Sequence, residues 1–380
     1  MTQAPFGVYV HVPFCAVRCG YCDFNTYTAT ELGPGASQAE YAESAVAEMR
    51  LAGAQLRERG PLRPATSVFF GGGTPTLLPT ADVIAMLEGV REVWGLAEGA
   101  EVSIEANPDS VGAPELTELK AAGFTRVSFG MQSAVPHVLK TLDRTHNPER
   151  LPRVTAWARD AGLEFSVDLI YGTPGETIAD WRTSVEAALA LDPGHISAYA
   201  LTIEPGTKMG AQVRRGELPT VDPDDQAAKY ALADDAFEAA GLCWYEISNW
   251  AKHPDLRSRH NLGYWQNIDW WGIGPGAHSH IGGSRFWNVK HPRPYAAQVG
   301  AGSLPIAETE DLTAEQIADE RVLLGIRMRE GLPLAEEEHG KLPGLVRRGL
   351  ASSRAAAAGT LQLTRKGRLL ADSVALELLT

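Results

Sequence analysis

Cys15, Cys19 and Cys22 fall within HVPFCAVRCGYCDF, residues 11–24, and are three of only four cysteines in a chain of 380 residues. A CxxxCxxC spacing on a loop brings three thiolates around one small object. A closed structural zinc site takes four ligands, so zinc would need His11 or a distant residue to complete it. Three thiolates suit a cubane [4Fe–4S] cluster, whose fourth iron keeps an open position for an exchangeable ligand. On spacing alone, zinc and three ordinary thiols remain alternatives. Four cysteines are too few for a disulfide scaffold, and clustered thiols in a reducing compartment are more often ligands or redox groups than bridges.

Other polar and glycine signals follow along the chain. GGGTPT, residues 71–76, offers backbone N–H groups with no Cβ in the way, which suits close approach to a carboxylate, an amino group or a ribose. Glu105, Gln132, Arg144 and Asp168 could bind a charged small molecule from several sides. Taken singly, each is more often a solvated or structural polar residue; taken together at successive strand ends, they favour a binding site. Cys243, in the apolar stretch GLCWYEI, reads as a buried, inert thiol.

The elements that position these residues alternate between strand-like and helix-like runs. Strands are expected at 7–12, 67–70, 101–106, 126–133, 164–172 and 195–203. Between them lie helical stripes. Ser37 with Glu40 makes a capping-box pattern, and Val83, Leu87, Val90 and Trp94 share one helical face. Six βα units with short connections call for parallel strands with right-handed crossovers. The fold class expected is α/β: a partial (β/α)6 TIM-like barrel with a small C-terminal helical or winged-helix-like domain. Barrels of this kind place their chemistry at the C-terminal ends of the strands. The cysteine loop, GGGTPT, EANP, GMQS and DLIYGTPG all fall there. The expected division is a barrel core over 1–222, an aromatic and glycine-rich barrel-completing region over 223–300, and a C-terminal unit over 301–380. The alanine run near 354–358 is expected as a loop or helix end.

The formal net charge of −13 argues against a general nucleic-acid binder, which needs a positive field to displace phosphate counterions. With 44% hydrophobic and 21% charged residues the chain can bury a proper core. No run of ~18 apolar residues marks a membrane span. The N-terminus MTQAPFGVYVHV lacks the pattern of a secretory signal, so a cytoplasmic location is expected.

YVHVPFCAVRCGYCDF, FFGGGTPT, IEANP, SFGMQS, LDRTH and VDLIYGTPGET together resemble the radical S-adenosylmethionine (SAM) proteins. Within them the chain resembles the branch of oxygen-independent coproporphyrinogen III oxidase and the heme chaperones related to it. The resemblance covers nearly the whole chain. It implies that Cys15, Cys19 and Cys22 hold a [4Fe–4S] cluster with SAM on the free iron. Tyr9, Gly72 and Glu105 match positions that contact this SAM. Gly73, Thr74, Gln132, Arg144 and Asp168 match positions lining a second SAM-sized site, and Tyr21 matches a residue near the cluster. It also implies one-electron reduction of the cluster by an electron donor wherever SAM is cleaved.

Two details separate the members of this branch. The oxidase carries a further cysteine two residues after the third, where this chain has Phe24. The oxidases also have a longer N-terminal extension, whereas here the first strand begins almost at once. RHNLGYW supplies His260, Asn261, Tyr264 and Trp265 in the HNxxYW pattern of the heme chaperones. A neutral imidazole is a good axial ligand for heme iron, and Tyr and Trp offer flat faces to a porphyrin. The same residues could close a turn and cap a barrel end, and His278 and His280 are rival ligands. The resemblance favours a heme chaperone that passes heme to an acceptor hemoprotein, with a homodimer among the expected assemblies. An enzyme decarboxylating coproporphyrinogen III is the alternative.

Overall fold

The computed structural model describes residues 4–33 and 36–379. Six strands appear where the alternation places them: β1 Phe6–Val12, β2 Ala65–Gly72, β3 Leu96–Ala106, β4 Arg126–Gln132, β5 Glu164–Tyr171 and β6 His195–Ala200. They pair in parallel and in sequence order. The helices between them are α1 Gln38–Arg59, α2 Thr80–Val93, α3 Ala113–Ala122, α4 Pro136–Thr141, α5 Leu151–Asp160 and α6 Ile178–Ala190. Ser37 caps α1, its hydroxyl accepting the Glu40 amide at 3.3 Å. Val83, Leu87 and Val90 bury the stripe of α2.

Each strand segregates its residues by parity. Val8, Val10 and Val12 of β1, Val68 and Phe70 of β2, and Val127 and Phe129 of β4 are fully buried in the main core. The intervening positions are polar or aromatic: Tyr9 and His11, Ser67 and Phe69, Arg126 and Ser128. On β5 and β6 the same parity gives Ser166 and Asp168, then His195 and Ser197. A parallel sheet covered on both faces usually reads as a continuous apolar run. A polar residue at every second position therefore means that one face lines a polar interior.

The later chain extends this sheet on both sides. After β6 come α7 Lys208–Arg214, α8 Pro223–Ala239, the hairpin β7 Cys243–Glu246 and β8 Asn249–Ala251, and α9 Arg259–Trp265. Next, β9 Asp269–Ile273 returns to pair in parallel with the free side of β1. Antiparallel β10 His278–Ile281, β11 Ser284–Asn288 and β12 Ile306–Asp311 continue that edge, with α10 Pro292–Gly300 between the last two. The full order is β12-β11-β10-β9-β1-β2-β3-β4-β5-β6-β8-β7. A seventh parallel strand thus joins the six expected ones.

A second apolar cluster runs from Val322 to Leu378 and gathers α11 Ala314–Gly325, the short antiparallel pair β13 Leu332–Pro333 and β14 Thr360–Leu361, and the last helix, Ala371–Leu379. The alanine run forms the four-residue helix Ser353–Ala356 and the turn after it. Among the described residues no helix is long and apolar enough to cross a membrane. Cys243 corrects the expectation of a buried thiol. It is the first residue of β7 and is exposed at that strand's outer end, whereas Tyr245 and Glu246 farther along the strand are buried.

Candidate functional site

The cysteine loop leaves β1 and returns through a bridge between Phe14 and Tyr27. The Cys15 amide donates to the Tyr27 carbonyl at 3.0 Å, and the Tyr27 amide to Pro13 at 2.7 Å. Farther along, the Gly20 amide reaches Leu142 at 3.2 Å, and the Gly20 carbonyl accepts from Met209 at 2.8 Å. Asn25 fastens the loop to the barrel's closing segment, donating to the carbonyls of Pro275 at 2.9 Å and Lys290 at 2.7 Å.

Cys15, Cys19 and Cys22 are unbridged thiols and line one cavity of about 320 Å³. The Arg144 guanidinium donates to Cys19 Sγ at 3.5 Å. Burial raises the Cys15 thiol above its ordinary range and pushes Cys22 up to about 11. Iron would displace their protons on binding. Among the described residues no three His, Cys, Asp or Glu side chains stand close enough to share one metal ion. Three cysteines lining one cavity are the donor set of a cubane [4Fe–4S] cluster, which leaves one iron without a protein ligand.

The glycine run works differently from its sequence expectation. Its amides are already used: Gly72 donates to Glu105 Oε2 at 3.1 Å, Gly73 to Val12 at 2.8 Å and Thr74 to Phe14 at 2.7 Å. What the run supplies is close approach. Gly72 has φ +107°, and a Cβ there would strike the His11 ring. A Cβ on Gly73 would strike the Phe14 carbonyl. The run thus lets the end of β2 nest against the root of the cysteine loop.

The same cavity is lined by Tyr21, Gly72, Gly73, Thr74, Glu105, Gln132, Arg144 and Asp168. Burial, with the charge of Asp168 added, pushes Glu105 up to about 8. Asp168 is also raised by burial, although it accepts from Ser128 Oγ at 2.7 Å. Gln132 has φ +57°, and its Oε1 is buried without a partner, as is Arg144 Nε. Orphaned buried polar atoms beside a cavity mark places where a ligand completes the hydrogen bonding. An acid, a cation and an amide on one wall fit a zwitterionic ligand such as SAM.

A larger cavity of about 790 Å³ adjoins the first and shares Tyr21, Phe24, Gly72, Glu105, Ser128, Gln132 and Asp168 with it. Tyr9 lines only this larger one. Gly73, Thr74 and Arg144 line only the smaller one, so the two expected sets of SAM residues do not separate cleanly. His260, Asn261 and Tyr264 of α9 line the larger cavity. The His260 ring stacks on Phe69 at 4.4 Å and meets Tyr264 edge-on at 4.6 Å. Burial alone lowers His260 to about 3, so its imidazole is neutral.

Trp265 stands apart from this group. It lies beneath the Arg327 guanidinium, 5.9 Å away, and hydrogen-bonds the Glu246 carboxyl. A helix turns by about 100° per residue, so Tyr264 and Trp265 face different ways. Of the rival histidines, His278 lines the larger cavity, while His280 is buried against the Ile268 carbonyl at 3.1 Å. Sequence reasoning missed Arg126, Ser128, Ser166, His195 and Ser197, which also line the larger cavity. Their signal was the polar parity of the strands.

Residues 9–188 match the Radical SAM superfamily. The chain is 47% identical to the heme chaperone HemW of Mycobacterium tuberculosis over 383 aligned positions, covering all of this chain and 96% of the relative. It is 33% identical to the heme chaperone HemW of Bacillus subtilis, covering 96% of this chain and 97% of the relative. Among solved structures, coproporphyrinogen III oxidase (HemN) from Escherichia coli superposes with a TM-score of 0.81 over all of this chain and 91% of that one. At 22% identity, that likeness speaks for the fold alone.

Proposed function

The chain belongs to the radical SAM superfamily and, within it, to the family of the heme chaperone HemW, and from that premise we infer that it binds heme and delivers it to an acceptor hemoprotein. Its cofactors are a [4Fe–4S] cluster and SAM. The observation that carries the reading is the full-length match to HemW proteins. A second cavity beside the cysteine cavity supports it, since about 790 Å³ lies within the range of cofactor sites (roughly 300–1,000 Å³).

When bound, the cluster and SAM supply one-electron chemistry. Cys15, Cys19 and Cys22 would hold the cluster, and Arg144 would offset the negative charge of its thiolates. Glu105, Gln132 and Asp168 would hold the polar groups of SAM. Tyr9, Phe69 and Tyr264 give the larger cavity flat apolar walls for a porphyrin, with His260 as the candidate iron ligand. Neutral imidazole is the ligating form, and buried His260 stays neutral across the physiological range. His278 is the alternative ligand, because it lines the same cavity.

We assign further features on the same footing. A homodimer is a fitting assembly for handing over heme, and an external electron donor is required wherever SAM is cleaved. Unbridged cysteines suit a reducing compartment such as the cytoplasm. A division into 1–222, 223–300 and 301–380 is supported on its C-terminal side by the separate apolar cluster.

The competing reading is decarboxylation of coproporphyrinogen III. Phe24, at the mouth of both cavities, stands where the oxidase pattern has its extra cysteine. Anaerobic incubation of cluster-reconstituted protein with coproporphyrinogen III, SAM and a reductant decides between them. The chaperone reading expects product at background. Multiple turnovers would replace it with the enzyme.

A further inference from the structure

Two buried side chains on the wall of the larger cavity each hold a nitrogen without a hydrogen-bond partner. Arg126, the first residue of β4, is 6% exposed. Its Nη2 donates to the Leu256 carbonyl at 2.5 Å, and the Glu101 carboxylate stands 3.8 Å from it. Nη1 is buried and unpartnered. Glu101 is committed elsewhere, its oxygens accepting the amides of Arg259 at 3.1 Å and His260 at 3.2 Å.

His195, the first residue of β6, is 3% exposed. Its Nε2 lies 2.7 Å from the Tyr245 hydroxyl, which already accepts the Ser258 amide at 3.1 Å. A tyrosine hydroxyl has one proton to give. In the tautomer where the hydroxyl donates to Nε2, the neutral ring carries its own proton on Nδ1. Burial and the nearby Arg126 charge keep the ring neutral. Nδ1 has no partner.

Both side chains line the larger cavity, and neither lines the cysteine cavity. They start their strands, at the opposite end of the barrel from the cysteine loop. Ser166 stands level with His195 in the sheet and lines the same cavity. The acids Glu105 and Asp168 lie on the wall shared with the cysteine cavity. The cavity is thus acidic towards the cluster and donor-rich at its far end. A buried donor left unpaired loses its hydration without compensation, so two together, one charged, call for an acceptor. A carboxylate supplies two oxygens and the charge that suits a guanidinium.

We propose that Arg126 Nη1 and His195 Nδ1 form a carboxylate subsite, and that it takes a propionate arm of the heme cargo. The proposal rests on the heme-chaperone reading. It assigns the subsite an orienting role: the acid edge of the porphyrin points away from the cluster.

The test compares ferric heme with its dimethyl ester, whose propionates carry no charge, by anaerobic absorbance titration of cluster-reconstituted protein. Wild type should bind the diacid at least about tenfold more tightly than the diester, the scale of one charge-assisted hydrogen bond. Arg126→Lys keeps a cation facing Glu101 but loses the forked donor, and it should bring the ratio close to one. Equal binding of the two ligands by wild type overturns the subsite while leaving the chaperone reading standing, whether or not the variant folds. A ratio unchanged in a folded Arg126→Lys variant also overturns it. Failure of wild type to bind either ligand removes the chaperone reading and the subsite with it. S-adenosylhomocysteine is titrated in parallel. A loss in the variant confined to that ligand would assign the donors to an amino-acid carboxylate and overturn the heme assignment.

Discussion

At the scale of single residues, the three cysteines offer ligands without holding their own loop together. Backbone bonds from Cys15, Gly20 and Tyr27, and the Asn25 amide, fix the loop to its neighbours. Replacing Cys15, Cys19 and Cys22 together by alanine should therefore abolish cluster uptake and leave the fold intact. Iron and acid-labile sulfide should fall from about four per chain to background, with an unchanged thermal melt of the apoprotein. Cooperative unfolding lost in the variant would show that the thiols are structural. This site was legible because three cysteines in so cysteine-poor a chain stand out. Arg126 and His195 were not, since one arginine or histidine at a strand start carries no signal by itself. Only the buried nitrogens left without partners on the wall of one cavity make them notable. Trp265 shows the converse: adjacency in HNxxYW does not survive the helical turn that sends its side chain elsewhere.

At the scale of elements, one buried carboxyl joins four pieces of chain. Glu48 of α1 accepts from the Gly274 amide at 2.8 Å, Asn288 at 2.7 Å and the Tyr295 hydroxyl at 2.6 Å. It thereby ties α1 to the loop after β9, to β11 and to α10. Burial nevertheless raises it to about 7, from an ordinary 4.5. A carboxyl with a raised native pKa holds its proton more tightly folded than unfolded. Its contribution therefore favours the fold below pH 4.5 and is lost as pH climbs towards 7. Denaturant titrations should show this loss, on the order of 3 kcal/mol, as a slope that Glu48→Gln flattens. A variant keeping the full slope would place the titration elsewhere. Gly72→Ala tests the junction of β2 with the cysteine loop. Positive φ and the His11 ring both oppose a methyl group, so a cost of about 1–3 kcal/mol in chemical denaturation, with reduced cluster uptake, is expected. A variant as stable as wild type would show that His11 can yield. The six parallel strands were legible because polar and apolar residues alternate along them. β7 to β10 were hidden, being three to five residues long and drawn from an aromatic, glycine-rich stretch without a clean period.

At the scale of the whole molecule, the C-terminal unit docks on the barrel through Asp234 of α8. Its carboxylate takes Arg368 at 2.7 Å, Arg365 at 2.6 Å and the Trp250 indole at 2.8 Å. The Arg368 guanidinium also lies 4.2 Å over the Trp244 ring. Asp234→Ala would strand a buried cation, at a cost of about 3–5 kcal/mol. Limited proteolysis should then cut between the barrel and the C-terminal unit sooner than in wild type, and an unchanged digestion pattern would contradict this docking. The second apolar cluster explains why that unit read as separate in the sequence, while the charged hub that joins it was invisible there. The account as a whole rests on heme occupying the larger cavity at His260. The most direct measurement is an anaerobic heme titration of cluster-reconstituted protein, wild type beside His260→Ala, followed by absorbance. The account predicts saturable binding near one heme per chain, with a Soret band weakened or shifted in the variant. Unsaturable binding, or a band indifferent to the substitution, would contradict it.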